Sequence, residues 1–193
     1  MPDEYFMKIC IMGAARELKT RMVRTFAGEK FTTDYLPTLG IDITTKQIRV
    51  NNNKVKLALV DALEQPSYQG ASAAIITFDK GDRNSFKAAK DFYMEVKRHL
   101  KPNKTKSLLI MRRHPRLFPE EEVEEYESSD VVIPIFLIGF ITNSEEITTL
   151  EGQNLAEELK FFYYETKLTD KETIAKIFED LAARVLAIKT GQT

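Results

Sequence analysis

Apolar and polar positions follow one another along this chain in a pattern that predicts alternating strands and helices. Residues 5–12 form an apolar run interrupted only by Lys8, and residues 73–78 are almost entirely apolar. Continuous apolar runs of this length are typical of strands buried on both faces of a parallel sheet. The same reasoning predicts further strands at residues 133–139 and 161–165.

A β-hairpin is predicted between the first two of these runs. Residues 41–50 alternate weakly between apolar and polar, and residues 55–60 form the returning strand. The three asparagines at 51–53 are a turn signal between them. The hairpin therefore adds an antiparallel edge to an otherwise parallel sheet.

Helices are predicted where apolar residues recur at helical spacing. The first begins near Lys19 and ends at Gly28, because glycine accepts the left-handed conformation that terminates many helices. Asp170 is a natural cap for the last helix. The other helices are predicted at residues 84–100, 148–159 and 171–189, with a short one between residues 61 and 73.

Strands that alternate with helices predict an α/β fold, in which helices cover both faces of a mostly parallel sheet. The chain of 193 residues is expected to form a single domain, residues 1–193, with six strands and five main helices. Residues 101–132 form an insertion with a basic cluster at 112–116 and an acidic run at 120–127. The acidic run is either a helix with a solvated face or a partner-docking element.

Composition narrows the possible functions. Lys and Arg number 28 against 29 Asp and Glu, so the balance offers no electrostatic case for nucleic acid. The single cysteine, Cys10, lies in an apolar run, which favours a buried thiol and a reducing, cytoplasmic location. No membrane anchor is visible as an apolar span, a leader or a lipidated cysteine motif. No second ligand stands at metal spacing from His99 or His114, which predicts no zinc.

The turn after the first strand has the layout of a phosphate-binding loop. The motif is G-x-x-x-x-G-K-[ST], and Gly13, Lys19 and Thr20 are in register with it. Leu18 replaces the second glycine. Such loops hold phosphate with successive backbone N–H groups, and glycines allow the backbone to come close. Leu18 is therefore expected to weaken the cradle.

With these residues, and over nearly the whole chain apart from the insertion, the sequence resembles the Ras-like small GTPases, especially the Rab branch. Residues 35–42 are similar to the Rab first-switch segment, and residues 61–65 stand where the family has D-T-A-G-Q. Residues 78–86 look like the family's D-x-x-S-F region, and residues 162–166 resemble the strand that ends in E-T-S-A-K. The resemblance implies a Ras-like P-loop NTPase fold.

The resemblance also implies roles for individual residues and implies Mg²⁺ with GTP or GDP as ligands. Thr20 and Thr38 would supply hydroxyl ligands to the metal, and Asp61 would hold it through water. Lys19 would reach the β and γ phosphates. Gln65 either orients the attacking water or is an ordinary surface residue of its loop. We use the term switch surface for the segments around Thr38 and Gln65.

Four departures from the family pattern count against tight and selective GTP binding. Leu18 obstructs the cradle, and Glu64 places a carboxylate where the γ-phosphate would lie. The base-reading loop N-K-x-D begins here with Phe140 and ends with Asn143. An amide cannot accept the two hydrogen bonds that an aspartate accepts from guanine. Lys167 opens the third base-side motif, in which S-A-K is missing.

Several interpretations of the loop remain open. Lys19 and Thr20 are an ordinary helix start, a retained anion site, or part of a GTP site with unusual contacts. Arg16 either reaches phosphate or is solvated. We predict a pseudo-GTPase, with weak or absent hydrolysis, that contacts a protein partner through the switch surface or the insertion at 101–132. The alternative is an active GTP-binding and GTP-hydrolysing molecular switch with unusual motifs.

Overall fold

The computed structural model describes residues 4–28, 41–62, 68, 70–100 and 133–191. The insertion at 101–132, Thr38, Glu64 and Gln65 lie outside the described residues, as does most of the short helix predicted between 61 and 73. The strands are β1 (Glu4–Gly13), β2 (Ile41–Val50), β3 (Asn53–Ala62), β4 (Ala73–Asp79), β5 (Ile135–Phe140) and β6 (Phe162–Thr166). The described helices are α1 (Arg16–Ala27), α2 (Arg83–Leu100), α3 (Thr149–Leu159) and α4 (Lys171–Thr190).

The six strands form one sheet in the order β2-β3-β1-β4-β5-β6. β2 pairs with β3 in the antiparallel sense at one edge, and all the other neighbouring strands pair in the parallel sense. Two hydrophobic clusters lie on the two sides of this sheet, one formed with α1 and α4 and the other with α2 and α3. The predicted fold class is therefore confirmed.

The hairpin turn fixes how β2 and β3 pair. Asn51 and Asn52 have φ values of 47° and 65°, in the left-handed region that asparagine tolerates better than most residues. Two successive left-handed residues give a turn whose twist matches that of the flanking strands. The resulting register places Asp61, near the end of β3, directly opposite Asp42 on β2.

Parallel strands bring their carboxyl ends to one edge of the sheet, which is where ligands bind in open α/β folds. Gly13 ends β1, Asp61 lies near the end of β3, Asp79 ends β4 and Phe140 ends β5. The pairing Asp79 with Phe140, and Phe140 with Thr166, continues this edge to β6. Most of the predicted site residues described by the structure are therefore at, or directly after, these strand ends.

The first helix begins earlier than its sequence pattern predicts. α1 starts at Arg16, not near Lys19, so only Ala14 and Ala15 separate it from β1. Position 18 is a leucine and not the glycine of the motif, so good helix formers continue through the segment where a loop was predicted. An ion pair of 2.6 Å between Glu17 and Arg21, one turn later, also stabilises this start of α1.

Other boundaries follow the predictions closely. α1 ends at Gly28, whose φ of 91° is left-handed, as predicted. Asp170 accepts a hydrogen bond from the backbone N–H of Thr173 at 2.9 Å and so caps α4.

Cys10 is buried, and burial raises the pKa of its thiol. Among the described helices, none has both the length and the apolar character needed to cross a membrane.

Candidate functional site

Three residues predicted for the phosphate end of the site meet at the start of α1. The Lys19 ammonium lies 3.0 Å from Oδ1 of Asp61, and the Thr20 hydroxyl donates to Oδ2 of the same carboxylate at 2.5 Å. Lys19 is 3% exposed, and Thr20 and Asp61 are each 2% exposed. The carboxylate of β3 is therefore held from α1 by a cation on one oxygen and a hydroxyl on the other.

Gly13 is required by the packing of two strands. Its φ is 144°, a conformation that side chains disfavour. A Cβ added there would lie 2.2 Å from the backbone oxygen of Thr77 on β4. Thr77 closes this contact by donating its hydroxyl to the backbone oxygen of Met12 at 3.1 Å. The first glycine of the motif is thus explained by strand packing, whether or not a phosphate binds beside it.

The connection between β1 and α1 is short, and two of its backbone N–H groups form hydrogen bonds within the chain. The backbone N–H of Arg16 donates to Ala14 at 2.8 Å, and that of Lys19 donates to Ala15 at 3.0 Å. These amides are already used within the chain, while Leu18 packs against the hydrophobic cluster of α1 and α4. In this conformation the backbone N–H groups of Arg16 and Lys19 are therefore not directed at a ligand.

Two of the residues predicted to bind the metal ion lie close enough together to do so. Hydroxyl and carboxylate oxygens suit Mg²⁺, and those of Thr20 and Asp61 are adjacent. These two residues fit the role that the family resemblance implies for them. The described residues hold no group of three or more His, Cys, Asp or Glu side chains placed to bind a metal ion.

Apolar side chains fill the base end of the site. Phe140, which replaces the asparagine of the base-reading loop, is 1% exposed and belongs to the core cluster of α1 and α4. Leu168, from the third base-side motif, packs against that same cluster, as does Leu18 from the phosphate end. Asn143 and Lys167 are exposed. Phe140 is therefore a core residue, and its position offers no polar side chain to a base.

The loop that follows β5 is closed by bonds to the turn that follows β4. Oδ1 of Asp79 accepts hydrogen bonds from the backbone N–H of Gly81 and from the Thr142 hydroxyl, both at 2.7 Å. Gly81 lies so close that an added Cβ would be 2.3 Å from Oγ of Ser144. Asp79 and Gly81 thus hold the two loops in direct contact.

Lys80 makes a second connection at this end. Its side chain is 2% exposed, forms an ion pair with Glu165 at 2.8 Å and contacts Glu145 as well. Burial alone would lower the pKa of Lys80, but its bonds to these two carboxylates outweigh burial and raise it. Lys80 therefore remains charged and connects the turn after β4 to the loop after β5 and to strand β6.

Glu165 is the centre of this network. It accepts from the Tyr163 hydroxyl at 2.5 Å and from the Thr149 hydroxyl at 3.0 Å. Burial would raise the pKa of Glu165, but the hydrogen bonds from Lys80, Tyr163 and Thr149 lower it overall. Burial and the bond to Glu165 raise the pKa of Tyr163. Sequence reasoning missed this network, although a lysine directly after an apolar strand was a signal for it.

Comparison with known proteins identifies the family. The sequence model of the Ras family matches residues 8–187. The chain is 25% identical over 197 residues to human Ras-related protein Rab-30, which covers 95% of this chain and 82% of Rab-30. It is also 25% identical to Ras-related protein RabQ of Dictyostelium discoideum over 201 residues, 98% of this chain and 84% of RabQ. The chain therefore belongs to the Ras family of small GTPases, and its similarity to Rab proteins extends over nearly its whole length.

Proposed function

We propose that this protein is a pseudo-GTPase, a Ras-family member that has lost efficient guanine nucleotide binding and serves as a protein-interaction module. The observation that carries the proposal is the burial of Phe140, which is 1% exposed in a cluster against which Leu18 and Leu168 also pack. All three side chains stand at motif positions where the family resemblance implies contacts to a nucleotide. At the base end Phe140 and Leu168 place hydrocarbon where the family has hydrogen-bonding groups, and Leu18 places hydrocarbon at the phosphate end.

The phosphate end supports the same conclusion. The early start of α1 uses the amides of Arg16 and Lys19 within the chain, so they are not directed at a ligand. Each polar group of a ligand that is buried without a partner costs about 1–3 kcal/mol. Two such losses of about 2 kcal/mol each weaken binding roughly a thousandfold.

The scaffold remains suited to protein contacts. Within the described residues, six strands form one sheet with a hydrophobic cluster on each side of it. The expected contact regions are the switch surface and the insertion at 101–132. Ile43 lies on β2, a few residues after Thr38 of the switch surface in the sequence. It is 60% exposed and offers an apolar side chain to a protein partner.

An active GTP-dependent switch is the second candidate, favoured by the meeting of Lys19, Thr20 and Asp61. In that case Thr20 and Thr38 would bind Mg²⁺, Asp61 would hold it through water, and Gln65 would orient the attacking water. This candidate requires α1 to unwind at its start so that the loop amides face phosphate. The two candidates therefore differ in the affinity for GTP and in its preference over ATP.

Titration calorimetry with GTP and with ATP separates them. We expect weak or undetectable binding of both by the natural protein, and a measurable gain in GTP affinity in the double variant Leu18→Gly with Asn143→Asp. The matched control is Leu150→Gly with Asn154→Asp on α3, which makes the same chemical changes away from the site. Tight binding of GTP in preference to ATP by the natural protein would contradict the pseudo-GTPase.

A further inference from the structure

We infer that Lys19 is the resident cation of Asp61, an internal counter-ion that closes the phosphate end of the site without metal or nucleotide. The basis is the ion pair of 3.0 Å between two side chains that are 3% and 2% exposed. This inference rests on the proposed function only in holding that no nucleotide displaces the pair in the natural state of the protein.

Asp61 needs a cation because of where β3 places it. A carboxylate that is almost fully removed from water is strongly disfavoured unless an opposite charge accompanies it. The strand register adds to this need, because Asp42 lies directly opposite Asp61 and like charges in that arrangement repel. Lys19 supplies the compensating charge from α1.

The pair also directs Lys19 away from the role that the motif implies. The motif implies that Lys19 reaches phosphate, whereas its ammonium lies 3.0 Å from Oδ1 of Asp61 on β3. The hydroxyl of Thr20 donates to the second oxygen of the same carboxylate. Entry of Mg²⁺ with phosphate therefore requires Lys19 to leave Asp61, so the internal pair and the ligand compete.

The contact has a structural consequence as well as an inhibitory one. It joins the first turns of α1 to the end of β3, directly before residues 63–67 of the second switch region. Two side chains of the chain itself make this connection, and the fold is expected to be independent of Mg²⁺.

A double-mutant cycle tests the pair. Urea unfolding is measured in buffer with EDTA for Lys19→Met, for Asp61→Leu and for the two combined. Each single change leaves one buried charge alone and is expected to raise the unfolding equilibrium constant about a hundredfold or more. The combined change removes both charges, so its effect is expected to be far smaller than the product of the single effects.

The exposed pair of Lys90 and Glu158 is the control. Its atoms are 2.9 Å apart, but the side chains are 53% and 59% exposed, so Lys90→Met and Glu158→Leu are expected to combine almost independently. Independent effects at Lys19 and Asp61 as well would overturn the inference. If a single variant fails to fold, recovery of folding in the combined variant supports the pair, and failure of the combined variant counts against it.

Repeating the unfolding of the natural protein with MgCl₂ and GTP in place of EDTA separates this inference from the proposed function. We expect the unfolding midpoint to be unchanged. A clear upward shift would contradict the pseudo-GTPase through ligand binding to the folded state. It would leave the cycle measured in EDTA as an independent result on Lys19 and Asp61.

Discussion

The two ends of the candidate nucleotide site differ in what occupies them. At the phosphate end, Lys19, Thr20 and Asp61 are the residues that the motif and the family resemblance predict. There the side chains of Lys19 and Thr20 contact the carboxylate of Asp61. At the base end, Phe140 has replaced a polar residue and become part of the core, and Lys80 fixes the loops around it. One end is closed by charges that can separate, the other by packing that cannot be undone without leaving a cavity.

This difference indicates how binding would be regained. Opening the phosphate end requires a lysine to turn and one helical turn to unwind, with the loss of packing only at the partly buried Leu18. Opening the base end requires a buried aromatic side chain to leave a close-packed interior, which is far more costly. Under the proposed function, we expect the base end to be the stronger barrier to GTP, and the following predictions test how firmly each end is closed.

The largest effect is expected from shortening the side chain that fills the base end. Phe140→Ala creates a cavity in the core and is expected to lower the free energy of unfolding by about 3–5 kcal/mol. Leu18→Ala, at the phosphate end, removes a side chain that is only partly buried and is expected to cost about 1 kcal/mol. Urea unfolding measures both. Equal costs would mean that the two ends are filled to the same depth.

A smaller effect is expected from the lysine that closes the base end. Lys80→Met removes the cation from Glu165, which keeps its bonds to Tyr163 and Thr149, so the expected loss of stability is about 2 kcal/mol. The control is Lys87→Met on the exposed side of α2, which is expected to stay within about 0.5 kcal/mol of the natural protein. Similar thermal and urea stability of both variants would show that Lys80 does not hold these loops.

Substitutions at the N-termini of α3 and α1 are expected to change the stability in opposite directions. Thr148 caps α3 in a reciprocal arrangement with Glu151, and Thr148→Ala is expected to cost about 1 kcal/mol. Ala15 stands at the same position before α1 without a side-chain cap, so Ala15→Asp is expected to add about 1 kcal/mol. Thermal unfolding checks both changes. No gain from Ala15→Asp would indicate that α1 does not begin at Arg16 in solution.

The smallest expected effect is the pH dependence of the base end. The pKa of Glu165 is lowered in the folded protein, because hydrogen bonds outweigh burial. Its contribution is therefore present above the unfolded value of about 4.3 and is lost as pH falls through the lower folded value. Glu165→Gln should flatten the loss of stability below about pH 4.5, whereas the exposed control Glu158→Gln should not. Identical acid limits for all three proteins would contradict this.

Much of the fold was predictable, because local pattern and global fold agree. The apolar runs gave the strands, Asn51 and Asn52 gave the turn, and Gly28 and Asp170 gave helix ends. The family resemblance assigned Lys19, Thr20 and Asp61 to one phosphate and metal site, but it assigned Lys19 to phosphate, and the ion pair of Lys19 with Asp61 was not predicted.

The rest depended on contacts between distant parts of the chain. The start of α1 was placed too late because the motif suggested a loop, whereas the residues up to Leu18 favour helix. The sequence showed that Phe140 departs from the base-reading motif, but not that it is buried. The network of Lys80 with Glu165 joins residues 85 positions apart, and no periodic pattern along the chain records such a pair.

The nucleotide content of the purified protein tests the central claim most directly. The protein is purified under native conditions in the presence of Mg²⁺, denatured, and its released small molecules are separated by ion-exchange chromatography. We predict no GTP or GDP above trace amounts. One mole of guanine nucleotide per mole of protein would contradict the claim that the two ends of the site are closed by the protein's own side chains.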